Sequence, residues 1–141
     1  MTDRATPSMT RETRAIAPVS AIADVLALWG RDGWLTPPLR AVVPATAPVL
    51  GGVRTITIEV APTGDGMSSI YDVLSNDLTD RFVVVAGAAG LEGAMWGEIL
   101  ALSAQTSGSC GVLVEGAVRD RPEVEALGFP TYSIDERIVG P

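Results

Sequence analysis

The chain contains no histidine, and all ten of its basic residues are arginine, so it has no lysine either. Without imidazole there is no Ser-His-Asp triad, no Cys-His dyad and no histidine-ligated zinc. Without lysine there is no Schiff-base or pyridoxal-phosphate chemistry. The single cysteine, Cys110, excludes an internal disulfide framework; it opens an apolar strand, where a small thiol serves as a core hydrophobe. No apolar run reaches the roughly 18 residues of a membrane-spanning helix. Residues 1–14 lack an apolar signal core and read as a flexible tail, so a soluble, cytoplasmic protein with no membrane partner is expected. The net charge of −7 and the scattered arginines oppose a phosphate backbone, so no nucleic-acid partner is expected. The remaining chemical palette is carboxylate, arginine, tyrosine, backbone amide and a hard cation. Oxygen ligands without imidazole or paired thiolates suit Mg²⁺ or Mn²⁺.

What is present is enough apolar material, 47% of 141 residues, to build one domain with a core, expected over residues 15–141. Ser20 is a plausible N-cap for a helix over AIADVLALW, with Gly30 as its stop and Ile22, Val25, Leu26 and Trp29 on one buried face. Leu39–Val43 and Val53–Val60 read as strands, APTGDGM as a turn, and SSIYDVLSN as a short helix with Ile70, Val73 and Leu74 inward. Two apolar strands, Phe82–Ala86 and Gly111–Glu115, each run into a glycine. Between them lie a glycine-rich turn and one helix, from about Ala94 to Thr106, burying Met95, Ile99 and Leu102. That order predicts a βαβ unit with parallel strands. A short helix over Arg121–Leu127, a strand over Phe129–Ser133 and a tail complete the chain.

Ligands of such units sit beyond the carboxyl ends of the strands. Glu98 and the Arg119-Asp120 pair fall there. Each has a bland alternative. Glu98 fits a dipole-complementing charge in a first helical turn, and Asp120-Arg121-Pro122-Glu123 fits an Asp N-cap with a capping box. Topology weighs the other way, because both carboxylates and the arginine occupy neighbouring connections at one end of the sheet. Gly87, Gly90, Gly93 and Gly97 keep the backbone bare around the turn, which suits an anion. Tyr71, Trp34 and Trp96 read as core or interface packing.

Several stretches together resemble the RraA-like family, which includes the 4-hydroxy-4-methyl-2-oxoglutarate (HMG) aldolases. They are AMWGEILA at 94–101, GVLVEGAVRD at 111–120, Glu123, and Gly128-Phe129-Pro130. The family pattern is an acid, twenty residues, Arg-Asp, two residues and another acid. Here it is met by Glu98, Arg119-Asp120 and Glu123, and the likeness covers most of residues 18–131.

The resemblance implies an α/β/β/α-type sandwich of the swivelling β/α/β kind with a parallel βαβ core. It implies a divalent-metal-dependent lyase, a class II pyruvate aldolase or oxaloacetate decarboxylase. Such an enzyme cleaves a C–C bond next to a 2-oxo acid through a metal-stabilised enolate. By the same resemblance Asp120 holds Mg²⁺ or Mn²⁺, and Glu98 binds a metal water or positions a proton-relaying one. Arg119 binds the pyruvate carboxylate and carbonyl, and amides around Gly97, Glu98, Ile99 and Leu100 receive the carboxylate. Homo-oligomers, trimers or hexamers, with sites at subunit interfaces are implied as well. Two departures stand out. Position 98 is Glu where the best-known aldolases have Asp. The sequence also stops at Pro141 where family members continue, so a second chain completing the fold, or Asp135 or Glu136 standing in for a neighbour's acid, enters the expectation. Two further readings stay open: a non-catalytic protein-binding regulator of the RraA type, and a specialised-metabolism enzyme using the same pocket on a larger carbonyl substrate.

Overall fold

The computed structural model describes residues 17–36, 38–59 and 67–140. The expected N-terminal tail, the end of the second expected strand at Val60, and most of the turn after it lie outside these residues. The chain divides into two compact units, residues 1–33 and 34–141.

In the first unit, α1 (Val19–Leu28) begins after Pro18 rather than Ser20, which sits inside the helix. Gly30 ends it with φ of +66°, in the left-handed region that glycine enters without strain. Ile22, Val25, Leu26 and Trp29 do share a face, lining a shallow apolar groove. No residue of the helix is buried, so the expectation of a buried face is corrected. Periodicity reports which residues share a face and is silent on whether anything covers it.

Among the described residues, the second unit is a six-stranded mixed sheet with three helices. Its strands are β1 (Arg40–Val43), β2 (Gly52–Thr57), β3 (Arg81–Ala86), β4 (Ala94–Trp96), β5 (Gly111–Val118) and β6 (Thr131–Glu136). The helices are α2 (Ser68–Leu74), α3 (Glu98–Thr106) and α4 (Arg121–Leu127). The order is β1-β6-β5-β3-β2, with β4 added alongside β5. Only β1 is antiparallel to its neighbour; β2, β3, β5, β6 and β4 pair in parallel. The mixed α/β class expected from the sequence is therefore what forms, and β3 and β5 are adjacent and parallel as predicted. Their valine-rich sequences suit a pleated strand that is buried on one face.

That buried face carries Val83, Val85, Val112 and Val114, against which Ile70, Leu74, Leu100, Ala101, Ala104 and Val124 of the helices cluster. The alternating residues Phe82, Val84, Leu113, Glu115, Tyr132 and Ile134 are half-buried on the other face.

Three boundaries differ from expectation, and all bear on the site. Ala94–Trp96 is a strand rather than the start of a helix, and α3 begins four residues later at Glu98. The inward face of α3 is accordingly Leu100, Ala101 and Ala104, while Ile99 and Leu102 are 63% and 47% exposed. β5 continues through Gly116 to Val118 across an irregularity in register. β6 runs to Glu136, through residues expected to be a tail, because Asp135 and Glu136 pair with Ala117 and Val118 of the extended β5.

Candidate functional site

The carboxyl ends of the parallel strands β4 and β5 meet at one rim of the sheet. β4 ends at Trp96, Gly97 follows, and α3 starts at Glu98. β5 ends at Val118, and Arg119 and Asp120 lead into α4. The Arg119 amide donates to the Trp96 carbonyl at 2.9 Å, so the two connections are stitched together just before they diverge.

Asp120 occupies the N-cap position of α4 with φ of 55° and ψ of 41°, and its side chain makes no cap hydrogen bond. The capping-box reading is thereby corrected. The left-handed backbone turns the carboxylate away from its own helix and toward the start of α3. There Oδ2 accepts the Glu98 N–H at 3.4 Å and lies 3.5 Å from Arg119 Nε. Oδ1 has no partner among the described residues. A non-glycine residue at positive φ is uncommon and tolerated best by Asn and Asp, which is one signature of a functional turn.

Gly97 makes the approach possible. A Cβ built there would stand 2.6 Å from Asp120 Oδ2 and 3.0 Å from Arg119 Cγ. Its φ of −165° is extended backbone open to any residue, so glycine is required here for space. The next first-turn amides, of Ile99 and Leu100, have no acceptor within the helix. The Leu100 side chain is buried and that of Ile99 exposed. The Glu98 carboxylate stands exposed in the first turn of α3, without a partner among the described residues.

Beside Asp120 opens a cavity of about 770 Å³, whose wall includes Glu92, Glu123, Glu136, Arg137 and Val139. Its arginines are engaged. Arg121 pairs with Glu125 at 2.6 Å and with Glu136, and the Glu125 hydrogen bond, aided by both charges, raises its pKa further. Arg137 donates to the carbonyls of Leu91 at 2.7 Å and Glu92 at 2.8 Å, and pairs with Asp135 at 3.3 Å. The Glu136 amide, followed by Arg137, holds the Asp135 carboxyl below the usual range. Asp135 and Glu136, considered as stand-in acids, are thus both held in ion pairs.

The glycine turn behaves differently from expectation. The Gly87 amide donates to Glu115 Oε2 at 2.7 Å, so this chain's own carboxylate uses it. Gly97 lies against Asp120, whereas a Cβ on Gly87 would meet the Ile58 backbone and one on Gly90 would meet nothing within 4 Å. Trp96 is buried in the core, with Nε1 unpartnered among the described residues, whereas Tyr71 and Trp34 are 44% and 65% exposed and do not pack inside. Sequence reasoning missed Glu92, Arg137 and Gly140, all of which approach this rim. The latter two fell in a stretch expected to be a tail, and nothing in their spacing marks them. Among the described residues no three of His, Cys, Asp or Glu gather as a metal cluster.

A parallel-strand rim with an Arg-Asp turn facing a helix N-terminus makes this a mixed α/β protein with a candidate site at its strand ends. The chain belongs to the RraA-like family (Aldolase/RraA), which matches residues 19–140. That family includes both RNase E inhibitors and Mg-dependent HMG aldolases. Two solved structures share the fold. One is the RNA-processing inhibitor RraA of Thermus thermophilus, with TM-score 0.62 and 22% identity over 89% of this chain and 72% of that one. The other is an unusual member of the RNase ES inhibitor RraA family from Streptomyces coelicolor, with TM-score 0.71 and 21% identity over 86% of this chain and 60% of that one. An uncharacterized protein of Methanocaldococcus jannaschii is 38% identical over 56 residues, which are 38% of this chain and 27% of its own length. The chain thus spans about three fifths of the Streptomyces protein and matches about a quarter of the archaeal one. No helix among the described residues is long and apolar enough to cross a membrane.

Proposed function

We propose that the chain is a divalent-metal-dependent lyase that cleaves a C–C bond next to a 2-oxo acid, of the pyruvate aldolase and oxaloacetate decarboxylase kind. The observation that carries this reading is the Asp120 carboxylate. It is turned from its own helix cap to the first amide of α3, beside Arg119, at the edge of a cavity. A capping aspartate has no need of that arrangement; a ligand site does.

The donor set suits a hard cation. Mg²⁺ keeps several waters and uses one or two carboxylates together with substrate oxygens, so a preformed cage of three acids is not required. Asp120 Oδ1 is the direct ligand in this reading, and Glu98, on the facing helix end, acts through a water. When bound, the cation supplies positive charge beside the substrate carbonyl as negative charge develops there. Arg119 clasps the 2-oxo acid carboxylate and orients its carbonyl, and the first-turn amides of α3 take the remaining oxygen. Glu98 would hold the water that delivers a proton to the carbon next to the 2-oxo group, which keeps the electron pair when the C–C bond breaks. The expected assembly is a homo-oligomer, trimer or hexamer, or a complex with a second chain. Size-exclusion with mass measurement distinguishes these.

The test follows pyruvate release from HMG or oxaloacetate with Mg²⁺, with EDTA and in Asp120→Ala. Loss in both latter cases is expected, and turnover indifferent to EDTA refutes the metal role. A second reading, a non-catalytic protein-binding regulator, draws support from the fold shared with the Thermus RNA-processing inhibitor. No turnover with any Mg²⁺ or Mn²⁺ level, together with a stable partner in a pull-down, favours it.

A further inference from the structure

Arg119 runs between two glycines distant in sequence. A Cβ on Gly97 would lie 3.0 Å from its Cγ and 3.4 Å from its Nε; one on Gly140 would lie 2.5 Å from Nη1 and 3.5 Å from Cζ. The methylene stem therefore rests against Gly97 and the guanidinium against Gly140. Gly140 is carried there by an anchored segment. The Arg137 amide donates to the Val118 carbonyl at 2.9 Å, and the Ala94 amide donates to the Val139 carbonyl at 2.8 Å. The Arg137 guanidinium grips the Leu91 and Glu92 carbonyls at 2.7 and 2.8 Å. Neither glycine of the pair is among the positive-φ residues, so neither is needed for its backbone shape. What both supply is room.

We infer that Gly140 is a positioning residue for Arg119: the bare backbone at 140 sets where the guanidinium lies, and hence where a substrate carboxylate is held. This rests on the reading of Arg119 as the carboxylate ligand. Nε is engaged by Asp120, and neither Nη1 nor Nη2 has a hydrogen-bond partner among the described residues. Nη1 is pressed against Gly140, whereas Nη2 stands 3.9 Å from the built Cβ and is the less crowded donor for a ligand. A methyl at 140 would meet the tip of a flexible side chain rather than backbone, so folding tolerates it while the guanidinium moves by about 1 Å toward ordinary contact distance. Displacements of that size at a binding group are felt strongly in function.

The test uses Gly140→Ala, with Gly52→Ala on β2 as control; a Cβ at Gly52 meets nothing nearer than 3.4 Å. The Arg119 Nε–H resonance, identified by its disappearance in Arg119→Gln, is expected to shift in Gly140→Ala and stay in place in Gly52→Ala, with neither variant melting below the unaltered protein by more than about 4 °C. Oxalate, a planar mimic of the pyruvate enolate, is expected to bind Gly140→Ala in Mg²⁺ about tenfold more weakly. The double variant Arg119→Gln/Gly140→Ala is expected to bind it no more weakly than Arg119→Gln alone. An unmoved Nε–H resonance, or additive losses in the double variant, overturns the inference. If the unaltered protein binds no oxalate with Mg²⁺, the lyase reading fails instead, and the resonance alone decides the role of Gly140.

Discussion

Replacing Gly97 with alanine isolates the contact on which the site depends. The new Cβ would stand 2.6 Å from Asp120 Oδ2, 3.0 Å from Arg119 Cγ and 3.4 Å from Arg119 Nε. The carboxylate must swing by about 0.4 Å to reach the roughly 3 Å limit of carbon–oxygen approach, and by about 0.8 Å to reach ordinary contact near 3.4 Å. Swinging breaks the 3.4 Å Glu98 N–H contact and the 3.5 Å Arg119 contact together. The stability terms nearly cancel. Alanine at an extended φ restricts the unfolded chain and adds about 0.4–1 kcal/mol. Losing the exposed charge-assisted contact at the helix start removes about 0.5–1 kcal/mol, and losing the Arg119 pair, 40% exposed on both sides, adds little to that. The melting point should stay within about 4 °C of the unaltered protein. The ligand site has no such offset, since groups that orient a metal-binding carboxylate typically carry a 10- to 100-fold effect on affinity or activity. Mg²⁺-dependent pyruvate release, read beside a thermal melt, is the assay, with Gly52→Ala as the control. Full activity in a folded Gly97→Ala protein would show that the placement of Asp120 against α3 does not matter to turnover.

The phase of α3 is testable through two adjacent residues: Leu100→Ala, at 4% exposure, should cost about 2–5 kcal/mol, and Ile99→Ala, at 63%, within about 0.5, as read by denaturant midpoints. Asp135 has its folded pKa lowered by the Glu136 amide first and Arg137 next. Its contribution is therefore fully present above the unfolded value near 3.9 and lost as pH falls through the lower folded value. Asp135→Asn should flatten the loss of stability in acid below about pH 4 in urea melts at stepped pH. Burial raises the Cys110 thiol above its ordinary pKa. A disulfide reagent at neutral pH should thus modify it more slowly than a small free thiol and at full rate only after unfolding; equal rates would contradict the burial.

The chemistry of the candidate site was legible without coordinates. A chain with no histidine and no lysine leaves carboxylate and arginine, and the Glu98, Arg119, Asp120 spacing put them at the ends of parallel strands. The parallel pairing of β3 and β5 was readable because both are apolar, β-branched and separated by a crossover; that Glu98 follows a strand of its own, β4, was not. The phase of α3 was not legible. Its stretch is apolar on both faces, so Ile99 and Leu102 matched a helical stripe as well as Leu100 and Ala101 did. Only the insertion of β4 beside β5 delayed the helix start to Glu98 and decided which stripe faced the sheet.

Local composition thus determined the strands, the parallel order of β3 and β5, and the palette of reactive groups, because those follow from side-chain shape and charge along the chain. Tertiary structure decided the rest. Asp120 fits an N-cap in every local respect, yet its left-handed backbone and the empty space at Gly97 direct the carboxylate to another helix. Gly140, in a stretch with no periodic signal, comes to lie on Arg119 because Glu136 pairs with Val118 and carries the following residues across the rim. Such contacts join residues far apart in sequence through pairing register, and register is a property of the folded sheet rather than of any one segment.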